Sequence, residues 1–97
     1  MHVGALEVDL HIPASGSRKD KRAVVRHIVD TARARFGVSA SEIGHHDLRQ
    51  RTLIGFAYVA PTPGRVAEVL DDVERFVWAQ PDIAVSTCTR HWLDPGD

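Results

Sequence analysis

The sequence predicts a single α+β domain whose elements follow the order β-α-β-β-α-β. Three observations predict it. Strand-like stretches with alternating or continuous apolar character flank two segments whose apolar residues recur at helical spacing. Turn-forming residues separate them in that order. Ninety-seven residues support one domain, because a chain this long buries roughly 60–70% of its unfolded surface and builds one core without staples.

Val3 to Ile12 alternates: Leu6, Val8, Leu10 and Ile12 point one way, and Glu7, Asp9 and His11 the other, as in a strand with one wet face. Pro13 stops it, and Ala14-Ser15-Gly16 forms a loop. Ser17 is a helix N-cap, with Asp20 completing a short-armed capping box. The first helix runs from Arg18 to Phe36, with Val24, Val25, Ile28, Val29, Ala32 and Phe36 in one arc. Gly37 ends it. Val38 to about His46 is polar and glycine-interrupted, which suits a sheet edge, and Asp47 to Gln50 makes the turn. Arg51 to Ala60 is apolar on both faces and belongs in the centre. Thr62-Pro63 reads as N-cap and first helical residue. The second helix runs to about Ala79, with Val66, Val69, Leu70, Val73, Phe76 and Val77 on one face. Gln80-Pro81-Asp82 ends it. Ile83 to Leu93 is the last strand. The domain is expected over residues 1–94, with 95–97 a frayed tail.

This order implies the split βαβ, ferredoxin-like arrangement: a four-stranded antiparallel sheet with both helices on one face. Right-handed crossovers place the first and third strands in the middle. The other sheet face is open, and small domains rarely leave such a face unused.

Composition narrows the function. A net charge of -1 argues against a protein that coats nucleic acid indiscriminately. Cys88 is the only cysteine, so no intramolecular disulfide forms and a reducing compartment is expected. Glu7, Asp9 and His11 interrupt the N-terminal apolar stretch, unlike a signal peptide. The longest apolar run, Leu53 to Ala60, is far below the ~20 residues that cross a bilayer. A cytoplasmic protein without membrane contact is expected.

Several motifs, in order, resemble the YlxP family, a bacterial domain of unknown function. They are Val8-Asp9-Leu10-His11-Ile12-Pro13, Ser17-Arg18-Lys19-Asp20-Lys21-Arg22, Arg35-Phe36-Gly37-Val38-Ser39, His45-His46-Asp47-Leu48-Arg49-Gln50-Arg51 and Arg90-His91-Trp92-Leu93. The chain departs from the family pattern at Arg18 (Leu in the family), Arg49 (Trp) and His91 (Glu). An exposed Trp beside the turn would anchor a partner, so Arg49 puts that contact in doubt. The resemblance implies a ferredoxin-like fold and a setting near translation-initiation and ribosome-maturation genes, and it brings no established catalytic residues.

Seven of the twelve Lys and Arg residues lie between Arg18 and Arg35, against Asp20 and Asp30. At 100° per residue, Lys19, Arg22, Arg26 and Arg33 fall within a wedge of about 60°. Arg18, Lys19, Lys21 and Arg22 crowd the first turn, where the helix dipole disfavours cations and free backbone N–H groups favour an anion. The functional reading is phosphate contact on RNA through Arg18, Lys19, Lys21, Arg22, Arg26 and Arg33. The alternatives are a solvated face that balances the acidic second helix, and an acidic protein partner.

On the open face, Glu7 and Asp9 would repel phosphate, and Phe56 and Tyr58 are expected in the core, so base stacking on the sheet is not expected. Glu7, Asp9 and His11 instead suit a protein partner or a homodimer, with Arg90 among the basic residues they could meet. His11, His45, His46, Asp9 and Asp47 invite a metal reading. The third strand, however, separates the first and second by roughly 10 Å, which makes convergence on one ion awkward. His45 and His46, if in a strand, point to opposite faces. Cys88 lacks the basic cluster that lowers a thiol pKa, and no glycine-rich phosphate loop occurs.

The expectation is a non-catalytic accessory factor of translation or small-subunit ribosome maturation, bound to ribosomal RNA or the small subunit through the first helix, without cofactor or metal. The alternative is an interaction module or homodimer acting through the open sheet face. A metal-dependent hydrolase at His11, His45 and Asp47 comes last.

Overall fold

Side-chain alternation along the first strand decides which way the sheet faces. In the computed structural model, which describes residues 1–13 and 15–93, β1 (His2–His11) buries Leu6, Val8 and Leu10 and turns Glu7, Asp9 and His11 away from them. The remaining elements are α1 (Arg18–Phe36), β2 (Ser39–Gly44), β3 (Arg51–Ala60), α2 (Pro63–Trp78) and β4 (Ala84–Leu93). Ala14 of the first loop, the domain boundary at 94 and the tail expected at 95–97 lie outside the described residues.

The sheet order is β2-β3-β1-β4, and every neighbouring pair is antiparallel. β1 and β3 are therefore central, as the crossover rule requires. One apolar cluster joins Leu6, Val8 and Leu10 of β1 and Ile54 and Phe56 of β3 to Ile28, Val29 and Ala32 of α1 and the buried stripe of α2. Both helices thus lie on one face, in the ferredoxin-like α+β arrangement. Phe36 and Phe76 meet edge to face between the helices, their centroids 5.7 Å apart, a favoured aromatic geometry.

Local chemistry sets the boundaries. Ser17 Oγ accepts from Asp20 N–H and Thr62 Oγ1 from Arg65 N–H, each satisfying a free donor of a first turn. Gly37 closes α1 at φ 69°, a conformation that costs glycine no Cβ clash. β2 is shorter than the expected 38–46, because the ladder is bulged between Glu42 and Gly44 and His45 leaves the extended region at φ 59°. β4 begins at Ala84 instead of Ile83, after Asp82 at φ 60°. Among the described residues, no helix is long and apolar enough to cross a membrane.

Candidate nucleic-acid interface and the open face

Two basic residues of α1, Lys21 and Arg33, are engaged by the rest of the fold. Arg18, Lys19, Arg22 and Arg26 are exposed, and none forms an ion pair among the described residues. They make a continuous cationic strip from the first turn into the third. Arg33 stays exposed but is partly committed: Nη2 donates to Ala40 O at 2.6 Å, and Asp30 lies 3.7 Å from Nη1.

Lys21 corrects the expected phosphate-binding set. It is 3% exposed, and its Nζ donates to the carbonyls of His45 (2.5 Å), Leu48 (2.8 Å) and, more weakly, His46 (3.5 Å). Glu42 Oε2 lies 3.1 Å away and also accepts from Thr52 Oγ1 at 2.6 Å. An ammonium spent in this way has nothing left for a phosphate. The signal was present in the sequence: Lys21 precedes Ile28 by seven residues and Val25 by four, which places it inside the apolar arc, away from the cationic wedge. A charge at such a position needs a buried partner, and Glu42 supplies it.

By clamping the carbonyls of His45, His46 and Leu48, Lys21 shapes the turn between β2 and β3. That turn packs beside the loop before α1: Ile12 N–H donates to Gln50 O at 2.7 Å, and Gln50 Nε2 donates to Pro13 O at 3.3 Å. A recess of about 460 Å³ opens there between Ser15 and Gly16 on one side and Leu48 to Arg51 on the other. Arg49 therefore extends the positive surface from the start of α1 onto the turn, a juxtaposition that residue spacing did not reveal. Arg51 lines the same recess but is paired with Asp9.

The open face carries its own charges in pairs. Asp9 Oδ1 accepts from Arg51 Nη2 at 2.8 Å, and Asp9 Oδ2 lies 3.1 Å from His45 Nε2. Glu7 Oε2 lies 3.0 Å from His91 Nε2. His45 thus reaches Asp9 across the intervening strand, because its left-handed backbone swings the ring over the sheet. Among the described residues no group of three or more His, Cys, Asp or Glu side chains could hold a metal ion; His11, His45 and Asp47 do not converge. Phe56 is buried and Tyr58 packs against the core, leaving no aromatic platform in the middle of this face. Arg90, named above as a basic group for Glu7 and Asp9, sits on the helix side instead and pairs with Asp71 (2.9 Å) and Glu74 (3.4 Å) of α2. It is opposite Leu6 in register, so alternation turns it inward with Leu6.

Burial works to raise the Asp9 carboxyl, but hydrogen bonds from Arg51 and His45, reinforced by their charges, outweigh it and hold the carboxyl below its ordinary value of 3.8. A carboxyl lowered on folding contributes stability that is complete above the unfolded value and vanishes as pH falls through the folded one. The expected result is that Asp9→Asn lowers the urea midpoint at pH 7 and that the gap to the parent narrows as pH falls below the ordinary carboxyl value and through the lowered one. A gap that persists at acid pH would show that Asp9 acts by shape and not by charge.

Burial likewise pushes the Cys88 thiol up to about 12, aided by its hydrogen bond to Glu74 Oε1 at 2.9 Å and that carboxylate's charge. Alkylation of the folded protein at pH 8 should run roughly a thousandfold slower than in urea, the ratio of thiolate fractions for this shift. Equal rates in both conditions would contradict it.

Known proteins resemble this chain along nearly its whole length. The family model described as "Protein of unknown function (DUF503)" matches residues 3–90. The uncharacterized protein YlxP of Bacillus subtilis (strain 168) is 34% identical over 91 residues, which span 94% of this chain and 99% of that protein.

Proposed function

The chain belongs to the DUF503 family, and from that premise we propose that it is a non-catalytic accessory factor of translation or small-subunit ribosome maturation, acting in the cytoplasm and contacting ribosomal RNA through α1. The translation setting comes from the gene neighbourhood that the family resemblance implies. The RNA contact rests on one observation: Arg18, Lys19, Arg22 and Arg26 are exposed along one side of a helix with no ion-pair partner among the described residues. A merely solvated face would be expected to lace its cations with i+3 and i+4 carboxylates, as α2 does with Arg65–Glu68 and Arg75–Asp72. A row of unpaired cations on one helix fits a phosphate backbone, where each contact releases a counterion. Arg33 sits at the far end of the row, and Arg49 flanks its start.

Binding of the purified protein to small ribosomal subunits and free ribosomal RNA, measured across a salt series, tests this. The Lys19→Ala/Arg22→Ala/Arg26→Ala variant should bind more weakly, with a log–log salt slope shallower by about 2–3, near 0.7–0.9 for each lost phosphate contact. Arg65→Ala/Arg75→Ala on α2, where both arginines already have carboxylate partners, should leave the slope unchanged. A folded parent that shows no affinity at low salt sinks the proposal.

A second reading has its own observation. Val3 stands between Val59 and Leu93 in register, and Val59 and Leu93 are 54% and 62% exposed. That apolar row on the open face supports docking of a protein there. Glu7 and Asp9 are already paired within the chain, so they would frame such a contact more than drive it.

A further inference from the structure

The two edges of this sheet are not equally protected. An edge strand offers unpaired N–H and C=O groups to any other strand, and proteins guard such edges by shortening them, bulging them or placing Lys and Pro on them. β2 is guarded: it is six residues long and bulged at Ile43. β4 is the other edge, ten residues long and, among the described residues, paired only with β1. Its sequence, Ala-Val-Ser-Thr-Cys-Thr-Arg-His-Trp-Leu, holds no Lys and no Pro and is rich in strand-forming residues. Its one irregularity is at the start, where Asp9 pairs with Thr87 but Leu10 with Val85, leaving Ser86 as the extra residue. From Thr87 to Leu93 the edge is regular and open.

We propose that this edge pairs with β4 of a second copy of the chain, antiparallel about a twofold axis at Thr89, joining the two sheets into one of eight strands. The register follows from the side chains. A twofold that keeps the helices of both copies on one side of the sheet makes one residue face its own counterpart. Centring on Arg90 would set two guanidinium groups directly opposite each other, a destabilising arrangement. Centring on Thr89 sets Thr89 against Thr89, Thr87 against His91 and Cys88 against Arg90. In the last pair the thiol is neutral, and the charge that faces Arg90 is the Glu74 carboxylate beside it. The Cys88 thiol is bonded to Glu74, so each Arg90 comes beside the other copy's Cys88–Glu74 pair while retaining Asp71 of its own. On the open side, Thr and His meet as hydrogen-bonding neighbours. The regular ladder runs from Thr87 to His91, and the bulge at Ser86 closes each end. This pairing uses backbone hydrogen bonds, and it leaves both the cationic strip of α1 and the open face uncovered.

The oligomeric mass of the purified chain tests it. Sedimentation equilibrium should give twice the 10.7 kDa of one chain. Thr89→Lys and Thr89→Glu should each give the single-chain mass, since like charges then meet at the axis, and an equimolar mixture of the two should regain the double mass. Val59→Arg, on β3 away from this edge, should keep the double mass. A parent that stays at the single-chain mass overturns the proposal, as does a dimer that both Thr89 variants retain. A dimer lost in Val59→Arg overturns it in favour of the open face, and a mixture that stays at the single-chain mass overturns the Thr89 register. Amide hydrogen exchange of the unsubstituted protein is independent of any variant: amides in Thr87–His91 that point away from β1 should slow as concentration rises, and unchanged exchange there counts against pairing at this edge.

Discussion

Lys21→Met is expected to destabilise the protein by about 3 kcal/mol, near the lower end of the range for breaking a buried ion pair because Glu42 keeps some contact with solvent. The melting temperature of a domain this size would fall by about 12–24 °C. The substitution keeps most of the apolar stem and removes only the ammonium, so packing loss is a small part of the effect. What remains is Glu42 facing an apolar helix, together with the carbonyls of His45, His46 and Leu48, which lose their shared donor. Buried acceptors without partners carry the full cost of their desolvation. Adding Glu42→Gln removes the stranded charge, so the double variant should lose less than the sum of the singles, with a coupling of about 1 kcal/mol or more. Urea denaturation of the four proteins measures it, and a Lys21→Met loss under about 0.5 kcal/mol, the size of an ordinary surface substitution, would contradict the clamp. The same variant separates structure from binding. Folded Lys21→Met should keep the parent's salt slope on RNA, since its ammonium never faces the solvent.

Gly4→Val is expected to cost about 3 kcal/mol, at the upper end of the range for overfilling a packed core. Gly4 lies on the helix-facing side of β1, beneath Val66 and Leu70 of α2. A Cβ there would stand 2.6 Å from Val66 Cγ1 and 2.8 Å from Leu70 Cδ1, with Trp92 Cζ3 at 3.4 Å on the third side. The Cβ alone is too close to both helix side chains, so either Val66 and Leu70 repack or α2 shifts, and both belong to the buried stripe from Val66 to Val77. Gly4→Ala should show the same sign with a smaller loss of about 1–2 kcal/mol. Combining Gly4→Ala with Val66→Ala should recover part of that loss, because the two changes act on one space. Thermal unfolding of the three variants decides it, and a Gly4→Val protein as stable as the parent would show that α2 yields without cost.

The elements that were legible in the residues are those whose signals are local. The alternation of β1, the Ser17 and Thr62 caps and Gly37 all act within a few residues, and each places its boundary within one residue of the structure. β2 is the exception. Its polar sequence is legible as an edge, but the bulge at Ile43 and the left-handed His45 follow from the turn being tied to Lys21, twenty-four residues earlier in the chain. The candidate interface divides in the same way. Arg18, Lys19, Arg22 and Arg26 stand on the surface because their wheel positions lie off the apolar arc. The Asp9–His45 contact is not legible from strand spacing, which separates backbones, because side-chain reach bridges the gap.

Periodicity, caps and crossover handedness are enough for the element order, the central strands and the sharing of one sheet face by both helices, since each reflects the short-range repeat of the backbone. The fate of individual charges is not short-range. Whether Lys21 faces RNA or Glu42, whether Arg90 meets the open face or α2, and which sheet edge stays unguarded depend on what lies a few ångströms away in space and many residues away in the chain. The reason is physical: desolvation and pairing energies fall off with distance through the folded protein, and only packing sets those distances.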